Sequence, residues 1–527
     1  MESPTMNLLD EAISWLSPQA GARRAAARLA LAEFRHYDAA TVGRRTANWR
    51  ATNASANETT RGTLARVRAR SRDHVRNTWW GARVVTVFKA HAVGTGITPI
   101  VRTGNKKLDK KALAAWRKWR RTCDAEGQLN FDGLVALATG CIVESGEVLG
   151  RLKPVRQRDP SHVPIELQLL EPDHLDTSRD ALRLDGAPRI VDQGIEYDAE
   201  GKRLAYWILP EHPGARGLMM PGASIRVPAD EVLHAYRKDR IGQGRGVPWL
   251  APVTLKGRDT ADLEEAVVIK GRIEACLAAF IKTNNSGTTL ANRTQTERTA
   301  NGSRRIETLS PGMVKYLDQG EDVTTVQPSS SLAFESILMM QWLALAAGSG
   351  ITYDQLTGDL RRANFASLRA GKIEFRRIVE QFQWLTLVAM LLDPLWEKWC
   401  AYAQDFGVLP RRAGGYPVEW IMPAVEPIDP LKDMQADIAA VRSGRMTYPQ
   451  FCASWGLDPE EQLDEIETWV KELDRRGITL ETDARVPLKG GAAGRGAGQG
   501  KGQDKSQDKS QDTGDEDKAD DEADQDA

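Results

Sequence analysis

The stretch LKGRDTADLEEAVVIKGRIEACLAAFIK, residues 255–282, and its counterpart LAFESILMMQWLALAA, residues 332–347, decide how the chain is laid out. In the first, Asp259, Asp262, Glu264 and Glu265 come early and Lys282 comes last, the charge order that suits a helix macrodipole. At about 1.5 Å per residue the segment predicts a helix about 40 Å long. The second is more apolar and only Glu335 interrupts it. Between them, residues 284–301 are polar and loop-like, while Gly312–Leu317 and Asp322–Val326 have strand character. A helix, a small β insert and a returning helix predict an arm standing out from a body.

The body lies on both sides of that arm. Upstream, Leu64, Val67, Val75, Trp79, Val84 and Val87 support a helix from Gly62 to Ala90, and Trp116 and Trp119 share one face of another over 106–122. That tryptophan pair reads as core. Residues 128–250 change character: Val148–Val155, Ile165–Leu170 and Leu204–Leu209 are short and bounded by Pro, Gly and Asp, as strands of a mixed α+β domain are. Residues 1–60 predict a short helix near 20–36 and otherwise loop.

Downstream, Gly348-Ser349-Gly350 breaks the second arm helix and a polar loop runs to Arg362. A long helix follows from Asn364 to about Leu392, with Phe365, Leu368, Phe375, Val379 and Phe382 on one face, and Pro394 is expected to kink or end it. Residues 429–477 carry clear helix punctuation. Asp429-Pro430 opens one helix and Gly444 closes it, Thr447 with Gln450 forms a capping box, and Asp458-Pro459 starts a helix that Gly477 stops. Beyond Lys489 the sequence is Gly-rich and then an acidic QDKS repeat with too little apolar surface to fold.

Charge is balanced overall, 71 basic against 72 acidic residues, but not along the chain. Residues 1–120 hold 23 Lys/Arg and 8 Asp/Glu, while residues 503–527 hold 3 Lys and 11 Asp/Glu. The two ends are therefore expected to have separate electrostatic tasks, although an Arg-rich solvated surface would look the same. The five cysteines are scattered and form no CxxC, which argues against a disulfide framework. No signal pattern opens the chain and no apolar run reaches the roughly 18 residues of a membrane span. These features are those of a soluble intracellular protein.

Catalytic motifs are absent. There is no GxxxxGK[ST] loop, the nearest approach being Gly500-Lys501 followed by Gly502, and no HExxH or GxSxG. His36, His74, His91, His162, His174, His212 and His234 do not fall at metal-ligand spacing. Glu144 and Glu147 form a carboxylate pair of a kind common by chance, and His174 reads as a turn residue. No catalytic residue, metal or cofactor is expected.

Several segments matter for their order. Arg70-Ser71-Arg72-Asp73 through Arg76-Asn77 leads to Val93-Gly94-Thr95-Gly96-Ile97, then Glu144-Ser145-Gly146-Glu147, then Leu170-Glu171-Pro172-Asp173-His174-Leu175-Asp176. Gly194-Ile195-Glu196-Tyr197-Asp198 and Val232-Leu233-His234 follow, and the most distinctive piece is Gly242-Gln243-Gly244-Arg245-Gly246-Val247-Pro248-Trp249-Leu250-Ala251-Pro252. Leu309-Ser310-Pro311-Gly312, Gly320-Glu321-Asp322, Gly350-Ile351-Thr352-Tyr353, Leu356-Thr357-Gly358-Asp359, Asn364-Phe365-Ala366-Ser367-Leu368-Arg369 and Asp429-Pro430-Leu431-Lys432-Asp433 complete the series. In this order, across about residues 62–488, the chain resembles the lambda-type portal proteins of tailed phages. Arg361 and Ala366 stand where that family tends to have small hydroxyl residues, and 489–527 has no counterpart in it.

The resemblance implies an α+β portal-type subunit with a mixed α/β wing, long stem helices, a small β-containing clip and a helical crown. It divides the chain into a basic N-terminal arm (1–60), wing (61–254), first stem helix (255–283), clip (284–330), second stem helix (331–350) and tunnel loop (351–363). The long wing helix with a returning wing segment (364–428), the crown (429–488) and a disordered tail (489–527) follow. It further implies a ring, usually a dodecamer, at one capsid vertex, through which double-stranded DNA passes without sequence reading. Other partners implied are the terminase, the major capsid and scaffold proteins and the head-completion and tail connector proteins. No membrane is involved. Arg361, Arg362 and Asn364 are the expected DNA-channel residues, the alternative being that the two arginines pair with Asp354 or Asp359 of the same loop. Asp318, Glu321 and Asp322 of the clip are the expected partner-docking cluster, or else a solvated turn. A packaging enzyme and a conventional DNA-binding protein using the basic N-terminus are the rival readings.

Overall fold

The computed structural model describes residues 51–480 except 158, 181–189, 216–221, 277–279, 283–295, 300–301, 306–314, 318–331, 362 and 428, with a few isolated positions outside those bounds. The expected strand at Asp322–Val326, the clip residues Asp318, Glu321 and Asp322, Arg362 and the 489–527 tail lie outside the described residues, as does nearly all of the helix expected near 20–36. Contacts divide the chain into two units, Met1–Pro459 and Glu460–Ala527.

The first unit begins with α1 (Ala56–Thr60), α2 (Leu64–Asn77) and α3 (Trp79–Ala92). One continuous helix was expected where α2 and α3 stand. Thr78 separates them by taking an extended conformation, and its hydroxyl accepts from the Gly81 N–H to cap α3. After β1 (Thr98–Val101), α4 (Lys106–Trp119) brings Trp116 and Trp119 into the core, as their spacing indicated. α5 (Phe131–Ser145), a helix that the strand-like punctuation of this region concealed, is capped by Asn130 and ended by Gly146 at φ 94°.

Gly146 hands the chain directly to β2 (Glu147–Pro154), which lies between β3 (Ile165–Leu170) and β8 (Val232–Tyr236) in an antiparallel sheet. A second antiparallel sheet, in sequential order, contains β4 (Ile190–Asp192), β5 (Ile195–Tyr197), β6 (Arg203–Ile208) and β7 (Ile225–Pro228). The strands expected at 148–155, 165–170 and 204–209 are thus present within a residue, and the α+β class is the observed one.

The arm is built from α6 (Thr254–Cys276) and α7 (Leu332–Ser349). The first is shorter than expected, because Phe280–Lys282 forms a strand, β9, paired in parallel with β12 (Lys315–Leu317). Phe280 and Ile281 suit a pleated strand better than a helix end. β10 (Thr296–Thr299) and β11 (Gly302–Arg305) form a hairpin between them. Two contacts fix α6 and α7 as antiparallel and set their relative height: Trp342 Nε1 donates to Glu264 Oε1 at 2.8 Å, and Lys270 Nζ lies 4.5 Å from the Phe334 ring centroid. Trp79 meets Trp342 edge-on at 6.0 Å between centroids, which ties the arm to α3.

α6 presses on the body at Gly257. A Cβ there would stand 2.1 Å from Trp80 Cζ2, so Gly257→Ala is expected to destabilise by about 1–3 kcal/mol. Gly271→Ala on the same helix meets nothing within 4 Å and is expected to stabilise by about 0.5–1 kcal/mol through helix propensity. Urea midpoints of the two variants check the contrast.

After α8 (Tyr353–Thr357) comes α9 (Phe365–Phe382), and the helical path then continues unbroken through a π-helical stretch, Gln383–Leu392, into α10 (Asp393–Asp405). Pro394 therefore does not stop the helix. The residue before it, Asp393, bonds back five residues to Val388 O. The wide turn upstream makes room for a ring that would otherwise clash with the preceding turn. The core of this unit is aromatic: Trp116 sits 4.9–5.2 Å from Trp119, Phe131, Trp396 and Trp399, and Phe88 packs on Trp249, Phe375 and Phe382. β13 (Val418–Ile421) closes on β1, and α11 (Pro430–Arg442) and α12 (Tyr448–Ser454) follow with the expected Asp429 cap and Thr447/Gln450 capping box. α13 (Pro459–Arg476), which belongs to the second unit from Glu460 onward, is the helix expected before Gly477.

Candidate functional site: a buried ion cluster and an exposed arginine loop

Glu147 is the first residue of β2 and has no solvent exposure. Its Oε1 accepts from Arg245 Nη2 at 2.6 Å and Nε at 2.9 Å, and from Arg68 Nη2 at 2.9 Å. Its Oε2 faces His234 Nε2 at 2.9 Å and accepts from the Gly246 N–H at 2.8 Å. Both arginines are themselves buried and spend their remaining donors locally: Arg68 on Ser145 O and Asp173 Oδ1, Arg245 on Gln193 O. Asp173 also takes Arg72 at 2.6 Å. Arg68, Arg72 and Arg245 are thus balanced by Glu147, Glu171 and Asp173, with Arg72 bonded to Glu171 as well.

Each partner is delivered by a different segment. Arg68 and Arg72 project from α2 one turn apart, Glu147 follows the left-handed Gly146, Asp173 sits in the Pro172–His174 turn, His234 is on β8, and Arg245 belongs to the 242–246 loop. That loop lies so close over the end of α5 that a Cβ on Gly246 would stand 2.2 Å from Gly146 O. Burial alone would push the Glu147 carboxyl up, but Arg245, His234 and Arg68 together hold it well below the ordinary carboxylate range. His234 is pushed down to about 4, chiefly by burial, and stays a neutral imidazole with Tyr206 Oη 3.4 Å from Nδ1.

A pH dependence follows. The unfolded chain binds a proton on this histidine near pH 6.5, whereas the folded site refuses it until about pH 4. Stability therefore falls as pH drops through that window, by about 3 kcal/mol. His234→Gln is expected to flatten the slope, as followed by urea unfolding from pH 7 to pH 4.

Glu171, Asp173 and His212 could in principle share a cation, but the Arg72 guanidinium already bonds both carboxylates. His174, read as a turn residue, is in a turn: its Nδ1 lies 2.9 Å from Leu209 O. Glu144 takes no part in the Glu147 centre through its carboxylate; its main-chain carbonyl accepts from Ser71 Oγ.

The second site is the loop after α8. A Thr352/Gln355 capping box starts that helix and Gly358 at φ 71° ends it. Arg361, 80 % exposed, folds back on Asp359: Nε to Oδ1 at 2.9 Å and Nη2 to Oδ2 at 2.8 Å, with its own N–H on Oδ1 as well. This is one of the two arrangements the sequence left open. Asn364 caps α9, its side chain accepting from the Ser367 N–H at 2.7 Å. Asp359 holds the Arg361 guanidinium above its ordinary range.

The sequence profile described as "Phage portal protein, lambda family" matches residues 42–383, a span that contains every member of the Glu147 centre and the whole loop. The chain belongs to the lambda family of phage portal proteins. Among curated portal proteins, the probable portal protein of Halomonas phage phiHAP-1 is 26 % identical over 436 residues, covering 78 % of this chain and 81 % of that one. The portal protein of Escherichia phage N15 is 21 % identical over 465 residues, covering 78 % and 85 %. In shape the chain is similar to one from the neck of a native GTA particle computed with C12 symmetry (TM-score 0.40, 15 % identity, 76 % of this chain and 94 % of that chain). A chain from the neck of an empty GTA particle computed with C6 symmetry gives a TM-score of 0.41 at 13 % identity, over 74 % and 94 %. Arg68, Glu147, Asp173, His234 and Arg245 thus lie in or beside the short portal-like segments read from the sequence, which converge here on one carboxylate. No helix among the described residues is long and apolar enough to cross a membrane.

Proposed function

We propose that this portal protein assembles as a closed ring, a dodecamer, at one capsid vertex of a virion, and conducts double-stranded DNA during packaging and ejection. The observation that carries this reading is the family match across 42–383. The α6–insert–α7 arm supports assigning stem and clip to 255–350, with wing, tunnel loop and crown placed as the family order implies. In this reading the clip docks the terminase and later the head-completion and tail connector proteins, major capsid and scaffold proteins surround the wing during assembly in the host cytoplasm, and the chain performs no catalysis.

Conduction sets its own physical demand. Duplex must be pushed past the wall without being gripped, so each specific contact would add a barrier. Residues 351–363 carry Asp354 and Asp359 against Arg361 and Arg362, no net charge. Arg361, committed to Asp359, offers phosphate a partly neutralised guanidinium. Repeated around a ring, such a loop is wetted and polar but only weakly attractive to DNA.

Mass photometry with negative-stain electron microscopy on the purified chain tests the reading. Rings with a hole wide enough for duplex are expected, and an ATPase assay is expected to stay at background. A chain that remains a monomer or dimer with capsid and scaffold proteins supplied, and that binds duplex tightly, would instead favour a conventional DNA-binding protein.

A further inference from the structure

The α7 helix is apolar on every side: in Leu332–Ser349 the only charged residue is Glu335. A helix of that composition is normally enclosed. Here Trp342, Leu345, Ala346 and Ser349 face the body, yet Ile337, Met340, Leu343 and Ala347 are exposed, Met340 by 67 %. At about 100° per residue, these four form one ridge on the side of α7 opposite Trp342. On that Trp342 side, a groove of about 400 Å³ runs between the α2–α3 junction and α6. Trp79, Ala261, Val268 and Ile269 line it with apolar surface, beside Glu265 and Arg272.

Ridge and groove stand at the same height. The Glu264–Trp342 and Lys270–Phe334 contacts align α6 and α7 so that Val268 and Ile269 are level with Ile337, and Ala261 with Leu343. A second copy displaced sideways by rotation about an axis along the arm, with no shift in height, brings its groove onto the ridge. The two surfaces lie on opposite sides of one arm, as a head-to-tail contact requires, and such contacts close into rings. An uncharged apolar ridge is also an aggregation hazard unless its cover is present wherever the chain is made. The level placement of an exposed apolar ridge and an apolar groove on one arm makes a second copy of the chain the cover that fits both.

We infer that the Ile337–Met340–Leu343 ridge of one subunit packs into the Trp79–Val268–Ile269 groove of its neighbour, a contact that deepens the ring reading and rests on it. The test uses the full chain. Met340→Asp is expected to abolish rings and leave a folded monomer with an unchanged circular dichroism spectrum, because Met340 is not in the subunit core. Separately, Ile337→Cys and Ile269→Cys chains are mixed before assembly and oxidised. A covalent dimer is expected from the mixture and from neither variant alone, with the parent chain controlling for native cysteines. Rings that survive Met340→Asp, together with no dimer from the mixture, overturn the contact while leaving the ring intact. A dimer from Ile337→Cys alone indicates a two-fold ridge-to-ridge contact and also overturns it. A parent chain that never forms rings removes the ring reading itself.

Discussion

Glu147→Leu is expected to destabilise the subunit by about 3–5 kcal/mol, read as a lower urea midpoint at fixed subunit concentration. The size comes from what is left behind. Arg68 and Arg245 are nearly inaccessible, and Glu147 supplies the carboxylate that both share. Removing it strands the Arg245 guanidinium in the interior, leaves Arg68 with Asp173 as its carboxylate partner and unpairs the Gly246 N–H. The consequences spread, because the same atoms hold together α2, the start of β2, the 172–174 turn, β8 and the 242–246 loop. Arg245→Met combined with Glu147→Leu should recover part of the loss, since it removes the stranded charge and leaves Arg68 its bond to Asp173. A Glu147→Leu variant within about 1 kcal/mol of the parent would mean that the cluster does not organise the segments that meet at it.

Asp359→Asn should make the assembled ring hold DNA more tightly. In the parent chain the Arg361 guanidinium is spoken for by Asp359 on two nitrogens. The substitution removes one negative charge per subunit and releases an exposed arginine in the same step. Each added phosphate contact steepens the dependence of log K on log salt by about 0.9, so several freed arginines should raise low-salt affinity by about tenfold or more. Fluorescence anisotropy with a short blunt duplex across a salt series measures both. Arg361→Ala placed on top of Asp359→Asn should return the slope to the parent value. If Asp359→Asn binds as the parent does at every salt concentration, the loop does not line the DNA path.

Much of this architecture was legible because its signals are local. The caps at Asp429 and Thr447, the polarity of α6 and the alternation in β3 each depend on a few neighbouring residues, and all four elements are present. The structure departs from the expected pattern where one local cap, a wide turn or a distant partner decides. Thr78 interrupts an otherwise helical pattern through a single cap, Phe280–Lys282 becomes a strand because Lys315–Leu317 is there to pair with it, and Pro394 is accommodated by the π turn before it. Glu147 was the larger omission. In sequence it was half of an unremarkable carboxylate pair, since its meaning depends on Arg68, His234 and Arg245, between 79 and 98 positions away. The available signal is positional: Glu147, Asp173, His234 and Arg245 each fall within one of the portal-like segments.

The central claim, a DNA-conducting ring, is tested most directly by cryo-electron microscopy of particles assembled with this chain. Ring density at a single vertex is expected, with residues 351–363 facing the axial channel and the α6–α7 arms side by side around it. Density spread over the shell, or a ring whose 351–363 loop points away from the channel, would contradict it.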